Sequence, residues 1–552
     1  MRKLSAAFFV TVLALGIAAQ PAVDLDQAKD LLGQGKTDEA VAALRTLVAA
    51  SPENIDYLVW LGKAFLKAGL PDSAEVAGRN AVSANGKNVE AFLLLSQAQL
   101  DQKEYDAARS TLRKGLKAKK NNPELLTQLG WVQLAQDSTD QAIISFSQAK
   151  GENPEFAPPH RGLGVAYAKL GAIPVAILQY EESLRIDSTQ VDLRYTVANL
   201  YYSEKRYTEA AQMYESILAL DPGNDSAALE LGRLYYLAKL YTNSAEILGP
   251  YVERNPDDTE AWLMLGEAYL SSRQYDLAAS TADHVLATNP RDPRALRTAA
   301  KAQSALKNPD KALLYFQTLA ETDTLSAEDA KYYARAHSAV KNDTLAIQYF
   351  EVSLAKDSTQ ADIFSELGAA YMRLKDFGKA AGIFERRILA DSTAVSAYVN
   401  YALCQEVLQN WSKSRAALLK ALEFSPNYIP GHYHLAYSYS RMDSVAQAKR
   451  SYLKVIALAD SVKAKHKSEL GDAHRYLAWS YLVDKDFERA LGFITSAIAF
   501  RPEDIELHLW RAQTLHALDR RPEAKEEYQR VLKLDPDNKD AKKGLDILEL
   551  YN

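Results

Sequence analysis

Residues 259–292 read TEAWLMLGEAYLSSRQYDLAASTADHVLATNPRD, and the reading of this stretch decides the fold. It carries Trp262, Leu265, Gly266, Tyr269, Ala278 and Pro290 at places that recur every 34 residues along the chain. In an earlier copy, Leu163, Gly164 and Tyr167, then Ala176, Tyr180 and Leu184, mark one apolar stripe on each of two successive helices. Each unit is therefore read as a helical hairpin.

Working outward, a small residue occupies the Ala278 place throughout: Ala40, Ala74, Ala108, Ala142, Ala176, Ala210, Ser244, Ala312, Ala346, Ala380, Ser414 and Ala448. After a slip of eight residues the series resumes at Ala490 and Ala524. A second small series runs twelve residues earlier, through Ala28, Gly62, Gly130, Gly164, Gly266, Gly368 and Ala512 among others. Two small places per unit mean two close helix contacts, because overpacking there costs about 1–3 kcal/mol.

These residues resemble the tetratricopeptide repeat, whose 34-residue motif places a large residue, Leu-Gly, Tyr, Ala and Pro in this order. The turn proline stands at Pro52, Pro154, Pro222, Pro256, Pro290, Pro426, Pro502 and Pro536, where it stops the preceding helix. Asp187-Ser188-Thr189, Asp357-Ser358-Thr359 and Asp391-Ser392-Thr393 replace it elsewhere, with Thr189 and Asp192, or Thr359 and Asp362, resembling a capping box. Units are expected to start near residues 21, 55, 89, 123, 157, 191, 225, 259, 293, 327, 361, 395, 429, 471 and 505. Asp24 in the first unit stands where a large residue is usual, and Gln99, Gln133, Gln303 and Gln405 stand where the motif favours tyrosine, so those units are expected to pack more loosely. The resemblance implies an all-α, right-handed superhelical α-solenoid of about fifteen hairpins over residues 20–538. In the tail, Ala541, Leu545 and Leu548 can face the last repeat while Lys542, Lys543 and Glu549 meet water, so a capping helix is expected over 539–552.

The chain opens Met1-Arg2-Lys3 and then runs almost wholly apolar from Leu4 to Ala19, which reads as a signal peptide over residues 1–19. The alternative is an uncleaved anchor, for which the apolar stretch is short. An exported product, periplasmic or envelope-associated, is expected. A single cysteine, Cys404, excludes internal disulfides and thiolate clusters, and its slot in the repeat is that of a small buried residue. Net charge is −6 over 552 residues with both signs interspersed, which gives no general attraction for nucleic acid. No further long apolar segment follows, so no membrane span is expected after signal cleavage. The eight-residue slip, near 463–470 with Lys463, Lys465, His466 and Lys467, is expected to lengthen a helix into a basic knob.

Catalytic and metal chemistry finds no home in the pattern. His160, His432, His474 and His508 share one place in their repeats, the place of Trp262, and periodic recurrence marks a packing position rather than a metal ligand. Gly162-Leu163-Gly164 lies inside a repeat helix with no preceding strand and no third glycine, so it is not a nucleotide loop. No Ser/His/Asp order stands out, and no catalytic residue, metal site or cofactor is assigned.

Binding is where the pattern points. The resemblance implies that the first helix of each unit lines a concave face, on which residues four apart point inward together. Arg297 with Lys301 and Lys331 with Arg335, preceded by Arg294, make a basic row suited to an acidic peptide; the alternative is a face neutralised by Glu328 and nearby acids. Asp362 and Glu366 in the next unit set this row apart from the carboxylate clamp of chaperone-binding members. Tyr433, Tyr437, Arg475 and Trp479 repeat the inward geometry with aromatic rings, as do Tyr195, Tyr202 and Tyr236 more weakly. The expected function is a non-enzymatic, exported scaffold that binds proteins or extended peptides, acidic ones among them, along the groove. The alternative is a component of a polysaccharide-export or outer-membrane assembly machine that handles glycan or another polymer.

Overall fold

The computed structural model describes residues 24–459 and 465–550. The expected signal sequence, and Lys463 of the expected basic knob, lie outside the described residues. Among the described residues there are thirty-one α-helices and no strand. They fall into two compact units, one ending at Asn255 and one beginning at Pro256. The first holds fourteen helices in seven hairpins. The second holds eight hairpins and a final helix, α31 (Lys539–Leu550), whose Ala541 and Leu548 are buried against the last hairpin. Each unit is an all-α superhelical repeat.

Local chemistry sets the helix ends. Asn54, Asn88, Asn122, Asn224, Asp258, Asp292 and Asp504 cap first helices by accepting a backbone N–H three residues on. The Asp-Ser-Thr turns act differently from the capping box read in the sequence. Asp187 accepts both the N–H (3.0 Å) and the hydroxyl (2.7 Å) of Thr189, and the cap position falls to Gln190, which makes no side-chain cap. The carboxylate is thus spent on closing the turn before the helix begins, and Asp357 and Asp391 do the same. One full capping box exists among the described helices, Ser326 with Asp329.

The two small series form the seam. All fifteen residues of the Ala40 series have no exposed surface. Opposite them, in most hairpins a large side chain of the second helix fills the space left by small residues of the first; Gly78 and Ala282 hold that place in two others. In α8 (Thr139–Glu152), Phe146 is fully buried between Gly130 of α7 (Pro123–Ala135) and Gly162 of α9 (Ala157–Lys169). A Cβ added at either glycine would lie 2.5 or 2.4 Å from the Phe146 ring. Tyr180 covers Gly164 and Phe384 covers Gly368 in the same way. The Gly162-Leu163-Gly164 sequence is accordingly a packing feature.

The glutamine-bearing units are not loose. Gln99, Gln133, Gln303 and Gln405 are all buried, and each carbonyl accepts a hydrogen bond: from Thr111 (2.8 Å), Ser145 (2.7 Å), Asn308 (3.0 Å) and Asn410 (2.9 Å). A polar partner on the second helix or the turn before it compensates for the missing tyrosine. The shared histidine place has an equally plain cause. The Nε1–H of Trp262 donates to the carbonyl of Pro256 (3.1 Å), and Nε2 of His160, His432 and His508 donates to Pro154, Pro426 and Pro502 at 3.3, 2.8 and 2.8 Å. His474 departs from this, with Nδ1 donating to Leu470 (2.7 Å). It lies in α27 (Lys467–Val483), whose 17 residues exceed the 13 of the neighbouring first helix, α25 (Ile429–Arg441). Cys404 is buried, and burial pushes its thiol up to about 11.

Candidate functional site

The basic row is carried by α17 (Pro293–Ala305) and α19 (Ala327–Ala339), and each of its cations already has acidic partners. Arg294 pairs with Glu260 (2.8 Å) and Glu267 (2.9 Å). Arg297 binds Asp329 (2.9 Å) and Asp323 (3.2 Å), and Lys301 binds Glu328 (2.6 Å). Lys331 lies 3.5 Å from Asp362, and Arg335 holds both Asp362 (2.9 Å) and Glu366 (2.5 Å). Five cations thus meet seven carboxylates, so the row carries no net positive charge.

Its centre is Asp329, whose carboxylate is wholly buried. Burial pushes that carboxyl up, but Arg297, the Ser326 bonds and Lys301 outweigh it and hold the group below the usual range. Hydrogen bonding to Glu366 and the charges of Glu366 and Asp362 likewise raise the Arg335 guanidinium against its own burial. Similar pairs recur in the first unit, as Lys63 with Glu90 (2.7 Å) and Arg161 with Asp192. The cations therefore tie several first helices to the next.

The aromatic set behaves differently. Tyr433 and Tyr437 from α25, Arg475 and Trp479 from α27, and Trp510 from α29 (Ile505–Ala517) line one cavity of about 390 Å³. Tyr452 of α26 (Val445–Ala459), Tyr476, Arg441, Ser440 and Asp472 complete its walls. All four residues singled out from the sequence are brought together here. A second cavity of about 380 Å³ shares Trp479 and Trp510 and continues past Leu482, Phe487 and Gln513. The two make one groove across three repeats.

The rings are fixed from behind and open in front. Tyr433 donates its hydroxyl to Asp472 (2.9 Å), and burial followed by that carboxylate holds the phenol well above its ordinary value. Asp472 is also bound by Arg501. Tyr452 and Tyr476 lie 4.8 Å apart between centroids, and Tyr476 and Trp479 5.4 Å. Arg475 is held by Asp504 (3.3 Å) and Glu506, and its guanidinium stands 5.8 Å from the Trp510 ring. Trp479 nevertheless keeps 40% and Tyr437 38% of its surface exposed. Such a groove offers π faces backed by a rigid polar frame.

The weaker tyrosines pair ring to ring and are not gathered into this groove: Tyr195 lies 5.9 Å from Tyr214, Tyr202 5.5 Å from Tyr207 and Tyr236 5.8 Å from Tyr241, with Tyr202 and Tyr207 each 47% exposed. Sequence reading missed Trp510, although it stands 34 residues after Tyr476 at the same place in its repeat. A carboxylate-oriented histidine is also present, His434 Nδ1 against Glu406 (3.0 Å). Ser414 and Ser438 both donate to Glu406 rather than to the imidazole and are fully buried, so this cluster presents no nucleophile.

Family models described as tetratricopeptide repeat match residues 25–84, 71–129, 201–268, 239–297 and 481–545. These segments carry tetratricopeptide repeats. Solved structures similar to these repeats include the C-terminal part of a TPR repeat-containing protein from Cytophaga hutchinsonii, 21% identical over 51% of this chain and 99% of that chain, with a TM-score of 0.38. The Cut9–Hcn1 hetero-tetramer of the APC/C is 16% identical over 82% of this chain and 95% of that chain, TM-score 0.29. MamA from Desulfovibrio magneticus is 21% identical over 31% of this chain and 96% of that chain, TM-score 0.29. No curated protein matches the chain. Repeats of this family act as protein-interaction scaffolds and are generally non-catalytic.

Proposed function

We propose that the chain is an exported, non-enzymatic scaffold that holds an extended segment of a partner protein in the groove of Tyr433, Tyr437, Arg475, Trp479 and Trp510. One observation carries this reading: two large rings, Trp479 and Tyr437, stay substantially exposed within a cavity whose remaining walls are pinned by hydrogen bonds and ion pairs. Exposed aromatic rings in a concave, prearranged setting are the usual anchors of protein recognition. The basic row contributes as inter-repeat ties and, with its charge balanced, gives no special preference for acidic partners.

The test is affinity selection of displayed peptides on the full chain, followed by titration of the selected peptides against Trp479→Ala and Tyr437→Ala. Anchors of this kind cost about 2 kcal/mol or more when truncated, which is a thirtyfold or greater loss of affinity. Unchanged affinity in both variants would remove the groove from the account. Retention of oligosaccharide by the native chain, lost in Trp479→Ala, with no peptide selected, would favour the polymer-handling alternative.

A further inference from the structure

The turn that joins the two helices of each hairpin places one residue in the left-handed region, and fifteen such turns occur among the described residues. Only Gly35, Gly69 and Gly171 use glycine there. Eight of the other twelve turns place a basic residue there, Lys103 and Lys485 singly and Lys205, Lys239, Arg273, Lys307, Lys341 and Lys375 in six consecutive repeats, the six with φ between 59° and 64°. A residue with a Cβ is strained in this region, glycine is not, and asparagine or aspartate tolerates it better than lysine does. The turn itself does not require a cation, since the same bonds close it elsewhere around Asp137 and Gln409. Attraction to the negative end of the preceding helix applies at every turn and so does not account for a basic run in some turns and Asp or Gln in others.

Four of these residues belong to the second unit: Arg273, Lys307, Lys341 and Lys375. All four are exposed, and among the described residues none has an acidic partner. This sets them apart from the inner-face cations, which are neutralised. Within residues 272–279, 306–313, 340–347 and 374–381, six Lys and Arg face four Asp. Asp343 is already bound by Arg373 (2.7 Å) and Asp376 lies 3.6 Å from Lys379. Large aliphatic groups accompany the cations: Val340 and Leu374 immediately precede Lys341 and Lys375 and are 37% and 49% exposed. Beside Lys307 a cavity of about 470 Å³ opens, walled mainly by Ala305, Pro309, Tyr332, Ala336 and Ala339, with Ser304 and the ion-paired Arg335 also on its wall.

We infer that this turn edge of the second unit, Arg273 to Lys375, is a docking surface for an anionic lipid surface, touched peripherally. Lysines reach the headgroup phosphates while Val340, Leu374 and the apolar recess beside Lys307 take up acyl or interfacial apolar groups. A soluble polyanion would match the charge but leave the aliphatic groups in water. No described helix is long and apolar enough to cross a membrane, so the association is one of surface contact.

The experiment is sedimentation of the full chain with vesicles of phosphatidylcholine, with and without phosphatidylglycerol. Binding is expected only with phosphatidylglycerol, and it weakens as salt is raised. Changing Arg273, Lys307, Lys341 and Lys375 together to Gln should weaken it at least tenfold. The triple variant Lys307→Gly, Lys341→Gly and Lys375→Gly should also lose binding while its Tm stays at or above that of the native chain, because glycine relieves the left-handed strain. Loss of binding with retained or raised Tm cannot come from unfolding. Val340→Ser with Leu374→Ser should weaken vesicle binding and leave retention on a heparin column unchanged. The inference is overturned by equal binding to both vesicle types, by binding that survives the glycine variant, or by heparin retention without vesicle binding.

Discussion

Changing Gly130 or Gly266 to Ala is the same substitution at the same place in two repeats, yet the packing gives it opposite signs. In a helix interior, Gly→Ala gains about 1 kcal/mol from backbone entropy. At Gly266 in α15 (Thr259–Ser271) the new methyl would find Thr281 and Thr298 at 3.5 Å, an ordinary contact, because the facing side chain is Ala282. Gly266→Ala should therefore stabilise by about 0.5–1 kcal/mol. At Gly130 the methyl would lie 2.5 Å from the ring of Phe146, which is fully buried and has no room to retreat. Overpacking of about 1–3 kcal/mol then exceeds the gain, for a net loss of about 1 kcal/mol. Long repeat arrays do not unfold in two states, so the measurement is peptide-resolved amide hydrogen exchange over α7 and α15. Protection should rise severalfold in α15 and fall severalfold in α7. A rise in both would show that Phe146 does not wedge the hairpins, and the packing account would be wrong.

Three further outcomes are expected. Arg297→Ala leaves the buried carboxylate of Asp329 with only Lys301 and the Ser326 bonds, and should cost about 3 kcal/mol, the low end for breaking a buried ion pair, read as lost amide hydrogen-exchange protection over α17 and α19. His337 is buried beside Tyr333 (4.7 Å) and Tyr349 (5.7 Å) with no hydrogen-bond partner on either ring nitrogen, and burial lowers its pKa. The unfolded chain takes up this proton first, so stability is present above about pH 6.5 and is lost as pH falls towards the lowered folded value, by up to about 1.4 kcal/mol per pH unit. His337→Phe should flatten the fall in amide hydrogen-exchange protection of α19 between neutral and mildly acid pH, after correction for the intrinsic exchange rate, and an unaltered slope would exclude His337 as its source. Finally, N-terminal sequencing of the chain made in a bacterium with a functional export system should show a mature end just after Ala18 or Ala19; recovery with Met1 intact would refute export by cleavage.

The hairpin seam was legible because stacking repeats the same neighbours every 34 residues, so a single small side chain leaves a long periodic trace, as at Ala40 through Ala524. The shared place of His160, His432 and His508 with Trp262 was legible for the same reason, although the proline carbonyl that explains it was not. Charge was harder. Arg335 reads as one of a basic row until its carboxylates are found 27 and 31 residues on, and a spacing of 31 also joins Lys331 to Asp362, Arg161 to Asp192 and Arg475 to Glu506. That regularity is present in the sequence, but spacing alone does not distinguish paired side chains from parallel ones. The aromatic groove was half legible: residues four apart on α25 and α27 gave Tyr433, Tyr437, Arg475 and Trp479, whereas Trp510 and Tyr476 enter from the next place along their helices. The Thr189 and Thr359 turns misled because Asp187 and Asp357 reach the same hydroxyl and N–H first.

The central claim, that a partner segment lies extended in the groove of the last three repeats, is tested most directly by site-specific photocrosslinking. A photoreactive phenylalanine derivative replaces Tyr437, Trp479 or Trp510 in turn and, as controls, the exposed second-helix residues Leu178 and Leu314. Crosslinks are expected from the three groove positions to successive residues of one partner stretch, in the order of the repeats, and none from Leu178 or Leu314. Crosslinks confined to Leu178 or Leu314, or groove crosslinks scattered over a folded partner surface without order, would contradict it.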